Sequence, residues 1–221
     1  MIAPNTWVEI KGPSLGLPEN RTWQSSDFVN GQMPVSLDGI SVTINGENAY
    51  IDYAGPNQID VLTPPDLASG PAQVGVTVAT VSSAPFASQA QALSPSLFVF
   101  NGGPYVAAAH ADGSLLGPAG LYTGSTPAKP GETIVIFANG FGPVNLPVIK
   151  GSVSQSGVLS PLPSISIGGA NANVSFAGLV APGEFQFNVT IPPSLGNGDQ
   201  SIIATYGGQS TQMGTLITIH N

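Results

Sequence analysis

Short runs of strictly alternating apolar and polar residues recur along the chain. Ile40-Ser41-Val42-Thr43-Ile44 is one, and Asn45-Gly46 follows it. Alternation sends successive side chains to opposite faces of a strand, and Asn-Gly supplies the two positive-φ residues of a tight hairpin. Ala49-Tyr50-Ile51-Asp52-Tyr53, ending at Gly55-Pro56, is predicted as the next strand. Gln58-Ile59-Asp60-Val61-Leu62, ending at Pro64-Pro65, and Val74-Gly75-Val76-Thr77-Val78 come after it. Strands arriving every 8–12 residues or so predict a β-sandwich.

The pattern then returns. Gln186-Phe187-Asn188-Val189, Pro192-Pro193 and Gly198 each stand 128 residues after Gln58-Ile59-Asp60-Val61, Pro64-Pro65 and Gly70. Ile165-Ser166-Ile167 matches Ile40-Ser41-Val42, with Gly168-Gly169 in the place of Asn45-Gly46, and Val174-Ser175-Phe176-Ala177-Gly178 matches Ile51 to Gly55. Upstream, Ile134-Val135-Ile136-Phe137 with Gly140 resembles Trp7-Val8-Glu9-Ile10 with Gly12. Two copies of one unit each need a core of their own, which predicts a tandem pair rather than a solenoid. The boundary is placed so that residues 1–93 form the first sandwich and 94–221 the second. Ser94 to Phe100 is expected as a strand opening the second unit. A hairpin is expected from Tyr105 to His110, through the turn Asp112-Gly113, to Leu115-Leu116. No long helix is predicted, only a helical turn near Pro65-Asp66-Leu67.

Composition narrows the function classes. The chain has 4 Lys+Arg, 12 Asp+Glu and a formal charge of −8. Four cations do not make a face that neutralises phosphates, so no nucleic-acid partner is expected. Charged residues are only 7% while 42% are hydrophobic, which fills a core and argues against disorder. Glycine (28) and proline (21) are roughly twice as frequent as average, against helical bundles. Cysteine is absent, so there is no thiol nucleophile and no cysteine metal site. No run approaches the length of a membrane span, and membrane insertion is not expected. The opening Met1-Ile2-Ala3-Pro4 carries no charged region or apolar run and reads as the start of a mature stretch. The acidic, lysine-poor, polar β composition suggests export to the cell surface or beyond.

Several blocks resemble a known family. They are Ala3-Pro4 with Trp7-Val8-Glu9-Ile10 and Gly12, Leu37-Asp38-Gly39-Ile40-Ser41-Val42, and Pro56-Asn57-Gln58-Ile59-Asp60-Val61. Pro127-Ala128-Lys129-Pro130-Gly131-Glu132-Thr133, Asn139-Gly140-Phe141-Gly142-Pro143 and Phe176-Ala177-Gly178-Leu179 complete them. Together they look like the uncharacterised C-terminal domain family abundant in Solibacter-type acidobacteria. The resemblance covers nearly the whole chain. It implies two Ig-like (TIG-type) β-sandwiches in tandem at the C-terminal end of larger exported proteins. It implies no activity and no catalytic residues. The stretch from Leu15 to Asn30 is longer than a bare sandwich turn needs.

Candidate chemistry is sparse. Gly12-Pro13-Ser14-Leu15-Gly16 fits the nucleophile-elbow pattern, but Leu17-Pro18 blocks the helix such an elbow requires, so a glycine-rich turn is expected. His110, Asp112 and Ser114 have the residue types of a triad, yet Asp112-Gly113 is itself a turn signal. The only other histidine is His220. Glu9, Glu19, Asp27, Asp38, Glu47, Asp52 and Asp60 crowd the first unit, and no spacing selects a glycosidase-type pair. Lys11 and Lys129 are considered for an intramolecular isopeptide bond, with solvated lysines as the simpler account. No metal site and no cofactor are expected. The aromatic residues remain as ligand-binding candidates: Trp23, Trp7, Tyr50 and Tyr53 offer rings for stacking on sugars, with Trp23 alternatively anchoring its own loop. The expected function is a non-catalytic extracellular binding, adhesion or structural module from the C-terminal end of a larger secreted or cell-surface bacterial protein. Its partner would be a polysaccharide or another surface protein. The alternatives are a carbohydrate-binding module proper, a subunit of a surface filament or assembly, and a hydrolase using paired carboxylates.

Overall fold

The computed structural model describes residues 1–15 and 18–221. Gly16 and Leu17, which belong to the Gly12–Gly16 pattern and to the Leu15–Asn30 stretch, lie outside the described residues. The protein is all-β, with antiparallel sheets and, among the described residues, only two single 3-10 turns, Ser25–Asp27 and Phe100–Gly102, in place of helices. It divides into two compact units, and the division does not fall at one point in the chain. The first unit is Met1–Ser94 together with Pro147–Gln155 and Ala181–Gly183; the second is Pro95–Leu146, Ser156–Val180 and Glu184–Asn221. A boundary at residue 93 describes neither unit fully, because two short stretches of the later sequence are built into the first.

Among the described residues the first unit holds β1 (Trp7–Lys11), β2 (Arg21–Thr22), β3 (Ser36–Leu37), β4 (Ile40–Ile44), β5 (Glu47–Asn48), β6 (Tyr50–Ala54), β7 (Gln58–Leu62), β8 (Gly70–Val78), β9 (Val81–Ser82) and β10 (Phe86–Ala90). One sheet has the order β1-β7-β6-β2, and the other β10-β8-β4-β3, with β5 on β4 and β9 on β8. Alternation does the work expected of it in β4, where Ile40, Val42 and Ile44 are buried while Ser41 and Thr43 are half-exposed. These residues join Ile51 and Ala54 of β6, Ile59 and Val61 of β7, and Ala72 and Val76 of β8 in a single apolar cluster enclosed by both sheets. β1 and β10 each stand at one end of their sheet's order.

The second unit holds β11 (Ser96–Leu97), β12 (Ala108–Ala109), β13 (Thr133–Asn139), β14 (Gly157–Val158), β15 (Ser164–Ile167), β16 (Ala170–Ala181), β17 (Glu184–Thr190), β18 (Gly198–Tyr206), β19 (Gln209–Ser210) and β20 (Leu216–Ile219). Their path runs β11-β13-β17-β16-β15-β18-β19, with β20 also on β18. The strand expected over Ser94–Phe100 is cut to two residues, and a 3-10 turn takes Phe100–Gly102. Phe141, from the Gly140-Phe141-Gly142-Pro143 block, is fully buried, with its ring 4.7 Å from Phe187 and 5.8 Å from Phe185. That block is therefore a core plug as well as a turn.

Candidate functional site

The aromatic candidates come from the outer face of the β1-β7-β6-β2 sheet. Trp7, on β1, donates its indole Nε1–H to the Pro182 carbonyl at 2.7 Å. Trp23 follows β2, where its amide is held by the Asp52 carbonyl at 2.8 Å. Its ring packs edge-on to Trp7, with centroids 5.7 Å apart, and lies 4.9 Å from Phe28. The chain between them is pinned by Arg21, whose guanidinium donates to both oxygens of Asp27 at 2.8 Å and sits 3.3 Å from Asp38. The Arg21 hydrogen bond, reinforced by the Gln24 amide, holds the Asp27 carboxyl below its usual value. Trp23 is half-buried and serves as an anchor for its loop, with part of the ring still open to solvent.

Tyr50 and Tyr53 part company. Tyr50 is only 6% exposed and packs with Met33 and Leu62, and burial pushes its hydroxyl above its usual value. It has no free ring face to offer a sugar, so of the four aromatic candidates it is withdrawn. Tyr53 is half-buried and lines a shallow depression of about 610 Å³ with Lys11, Asn20, Asn57 and Gln58. A β-bulge between Ile51 and Tyr53 breaks the simple alternation that would have put Tyr53 and Ile51 on one face.

The carboxylates of this sheet form a row. Glu9 on β1 lies directly across from Asp60 on β7, and Asp60 is paired with the bulge region of β6 that carries Asp52. Burial raises both the Asp60 and the Asp52 carboxyls, and Asp60 adds to the rise at Asp52. Gln58 donates its side-chain amide to both oxygens of Asp60, at 2.8 and 3.1 Å. Neither Asp52 nor Asp60 lines the Tyr53 depression. Among the described residues no group of three or more His, Cys, Asp or Glu side chains is placed to hold a metal ion. Lys11 is exposed and pairs with Glu9, and Lys129 is exposed, so neither has the buried setting of an isopeptide lysine.

In the second unit a cleft of about 760 Å³ is lined by His110, Asp112, Ser114, Lys129, Glu132 and His220 among others. His110, Asp112 and Ser114 do not form a relay. Asp112 accepts from both the amide and the hydroxyl of Ser114, at 2.9 and 2.6 Å, closing the turn; the Ser114 hydroxyl is the main cause of a lowered Asp112 carboxyl. His110 turns instead to Glu132, with Nδ1 2.5 Å from Oε1, and to Thr126, with Nε2 3.1 Å from the carbonyl and 3.0 Å from the hydroxyl. The second oxygen of Glu132 accepts from the Lys129 amide at 2.8 Å. Nδ1 of His110 thus faces a carboxylate, and Nε2 faces a carbonyl, which only accepts, and a hydroxyl, which can donate or accept. Glu132 was missed as the partner of His110; the signal for it was the Pro-Gly-Glu turn in the Pro127–Thr133 block.

The first unit also has an apolar cleft of about 430 Å³ between β1 and β10. Val8, Ile10, Val61, Val74 and Val76 are among the residues that line it, and Glu9, Lys11 and Phe86 stand on its walls.

No family model and no curated protein matches the chain. Among solved structures, the Bacteroides ovatus mixed-linkage glucan utilization locus SGBP-B, in complex with a mixed-linkage heptasaccharide, superposes with a TM-score of 0.38 at 11% identity. That match covers 99% of this chain and 42% of the other, so the chain spans less than half the length of that neighbour. The Plexin A4 full extracellular region matches at 12% identity and a TM-score of 0.31, over 100% of this chain and 15% of its own. Domains 5–6 of the S-layer protein SbsC match at 10% identity and a TM-score of 0.26, covering 98% and 97%. Superpositions this loose carry no argument about what the chain binds.

Proposed function

We propose that this chain is a non-catalytic binding or structural module of an exported bacterial surface protein, built as two immunoglobulin-like sandwiches in tandem. The recurrence of strands in step with the sequence repeat supports the tandem reading: β8 and β18, and β9 and β19, begin and end 128 residues apart. The resemblance carried by the Pro127–Thr133 and Asn139–Pro143 blocks supports placing it at the C-terminal end of a longer chain. The observation that carries the non-catalytic reading is the His110 cluster. A general base needs a lone pair aimed at the proton it removes, and here both ring nitrogens are turned on fixed oxygens of the fold. The arrangement ties the end of the β12 hairpin to the turn before β13, which is a structural use of the residues. Among the described residues no helix is long and apolar enough to cross a membrane.

A second reading, carbohydrate recognition, is favoured by the Tyr53 depression, which joins one aromatic ring to three amide side chains and a lysine. Rings stack on the apolar faces of sugars, and amides exchange hydrogen bonds with hydroxyls.

One set of measurements on the full chain separates these readings. Turnover of chromogenic esters and glycosides is expected to be absent; a rate that disappears in His110→Gln or Asp52→Asn overturns the non-catalytic reading. In parallel, titration with soluble polysaccharides is followed by calorimetry and tryptophan fluorescence. Saturable binding lost in Tyr53→Ala but kept in Trp23→Phe assigns glycan recognition to the depression, and no binding to any glycan removes that second reading.

A further inference from the structure

The outer face of β1 and β7 sets four polar side chains in a square. By the two-residue period of a strand, Glu9 and Lys11 stand on the face of β1 opposite to Val8 and Ile10, which pack against the core. Across on β7, Asp60 is the partner of Glu9 and Gln58 the partner of Lys11. The two donors of the square are turned back on its two carboxylates. The Lys11 ammonium pairs with Glu9 at 2.5 Å, and the Gln58 amide donates to both oxygens of Asp60. The Glu9 hydrogen bond, with the Asp60 charge adding to it, raises Lys11 above its usual value.

Lys11 and Gln58 are also the members of the square that line the Tyr53 depression. A sugar carboxylate would seek such groups, because an anion binds best to a cation and to N–H donors. Lys11 is the one charged side chain among the described residues that line the depression. The remaining polar groups there are neutral. Tyr53 folds back over Gly55, where an added Cβ would meet its hydroxyl oxygen at 2.6 Å and Asn20 Oδ1 at 2.9 Å. Asn57 is exposed on the same lining. A phenol and amides exchange hydrogen bonds with hydroxyls.

We propose that Glu9 sets the ligand class of the Tyr53 depression: it occupies the Lys11 ammonium, so the site takes neutral, hydroxyl-bearing glycans and rejects those bearing uronates. This rests on the carbohydrate reading given above. An incoming carboxylate has to displace Glu9 from Lys11 and then meets Glu9 and Asp60 as like charges. A neutral glycan displaces neither. Selectivity of this kind comes from a repulsion built into the site as much as from a fitted contact.

A soluble glucan, a mannan and a galactan are each compared with the same polymer after oxidation of its primary hydroxyls to carboxylates. Calorimetry on the full chain in about 0.15 M salt is expected to show the oxidised form binding roughly tenfold or more weakly, with the gap narrowing as added salt screens the carboxylates. Glu9→Gln releases Lys11: the oxidised polymer gains roughly tenfold, the neutral one stays within about twofold, and the melting temperature holds, since the pair is exposed. In E9Q/K11Q the gain is lost, which separates release of the ammonium from simple removal of a negative charge. Tyr53→Ala weakens both forms. An oxidised polymer that binds the unaltered chain as well as the neutral one overturns the inference, as does a preference that Glu9→Gln leaves intact; both outcomes leave the carbohydrate reading standing. Binding by no polymer, or binding indifferent to Tyr53→Ala, removes that reading and the inference with it.

Discussion

Two half-buried carboxyls on neighbouring strands show how a residue's surroundings set its cost. Asp52 and Asp60 are both pushed above the usual carboxylate value, chiefly by burial. A carboxyl with a raised value in the folded state holds its proton more tightly there than in the unfolded chain. Stability is then greatest in acid and falls as pH climbs from the ordinary carboxylate range through the raised values. Asp52→Asn removes the ionisation and with it the repulsion that Asp60 exerts on it. It is expected to raise the melting temperature at pH 7 by on the order of 1–2 °C and to change little near pH 3. Differential scanning calorimetry at the two pH values checks this; a lower melting temperature at pH 7 would mean that the Asp52 carboxylate is held by favourable contacts. At the same scale, the sequence signals Asp112 as a turn former rather than as a relay partner of His110, and Asp112 does close its turn on Ser114. What proximity in the sequence does not signal is the partner of His110. The residue that meets its ring, Glu132, is 22 positions away, and sequence proximity carries no information about such a pair.

At the scale of the strand and the turn, the alternation that opened the reading maps onto β4, β6, β7, β8 and β17 with little displacement. That signal is local: it needs only the pleat and one apolar face. It failed where something distant supplies the cover. Tyr50 sits on the outer side of its strand yet is buried, because Met33 and the Gly151 backbone lie against it, and nothing near Tyr50 in the sequence announces them. The repeat also exposes a local flaw. β18 and β19 turn through Gly207-Gly208, with both φ values positive, whereas the equivalent turn between β8 and β9 uses Ala79-Thr80, with Ala79 at φ 53. A side chain at that φ crowds its own carbonyl. Ala79→Gly is expected to stabilise the chain by about 0.5–1 kcal/mol in urea unfolding, despite the greater freedom glycine has when unfolded. A loss of stability would show that Ala79 packs better than its backbone suggests.

At the scale of the whole molecule, the first unit is assembled from three separate pieces of chain. Gly183 marks how closely the last of them fits. Its φ is +67, and an added Cβ would run into a methyl of Leu62 and come within 3.1 Å of the Trp7 indole. Gly183→Ala is expected to cost about 2–3 kcal/mol, from backbone strain and overpacking together. It should also shift tryptophan emission, since it displaces Trp7; an unchanged spectrum and melting curve would show that the turn yields freely. The sequence repeat could not reveal this construction. Repeats are read as consecutive blocks, and the exchange of Pro147–Gln155 and Ala181–Gly183 into the earlier block leaves no mark on the alternation.

The same feature sets a timetable for synthesis. The indole nitrogen of Trp7 bonds a carbonyl 175 residues further on. At roughly 5–20 residues per second, the ribosome needs about 10–35 s to make that stretch. For all of that interval the first unit to emerge lacks its final pieces, while Trp7, Met33 and Tyr50 wait with their covering segments unmade. The earlier half of the chain begins first but finishes with the later half, and its exposed aromatic face in the meantime is a natural point of engagement for whatever escorts the nascent chain.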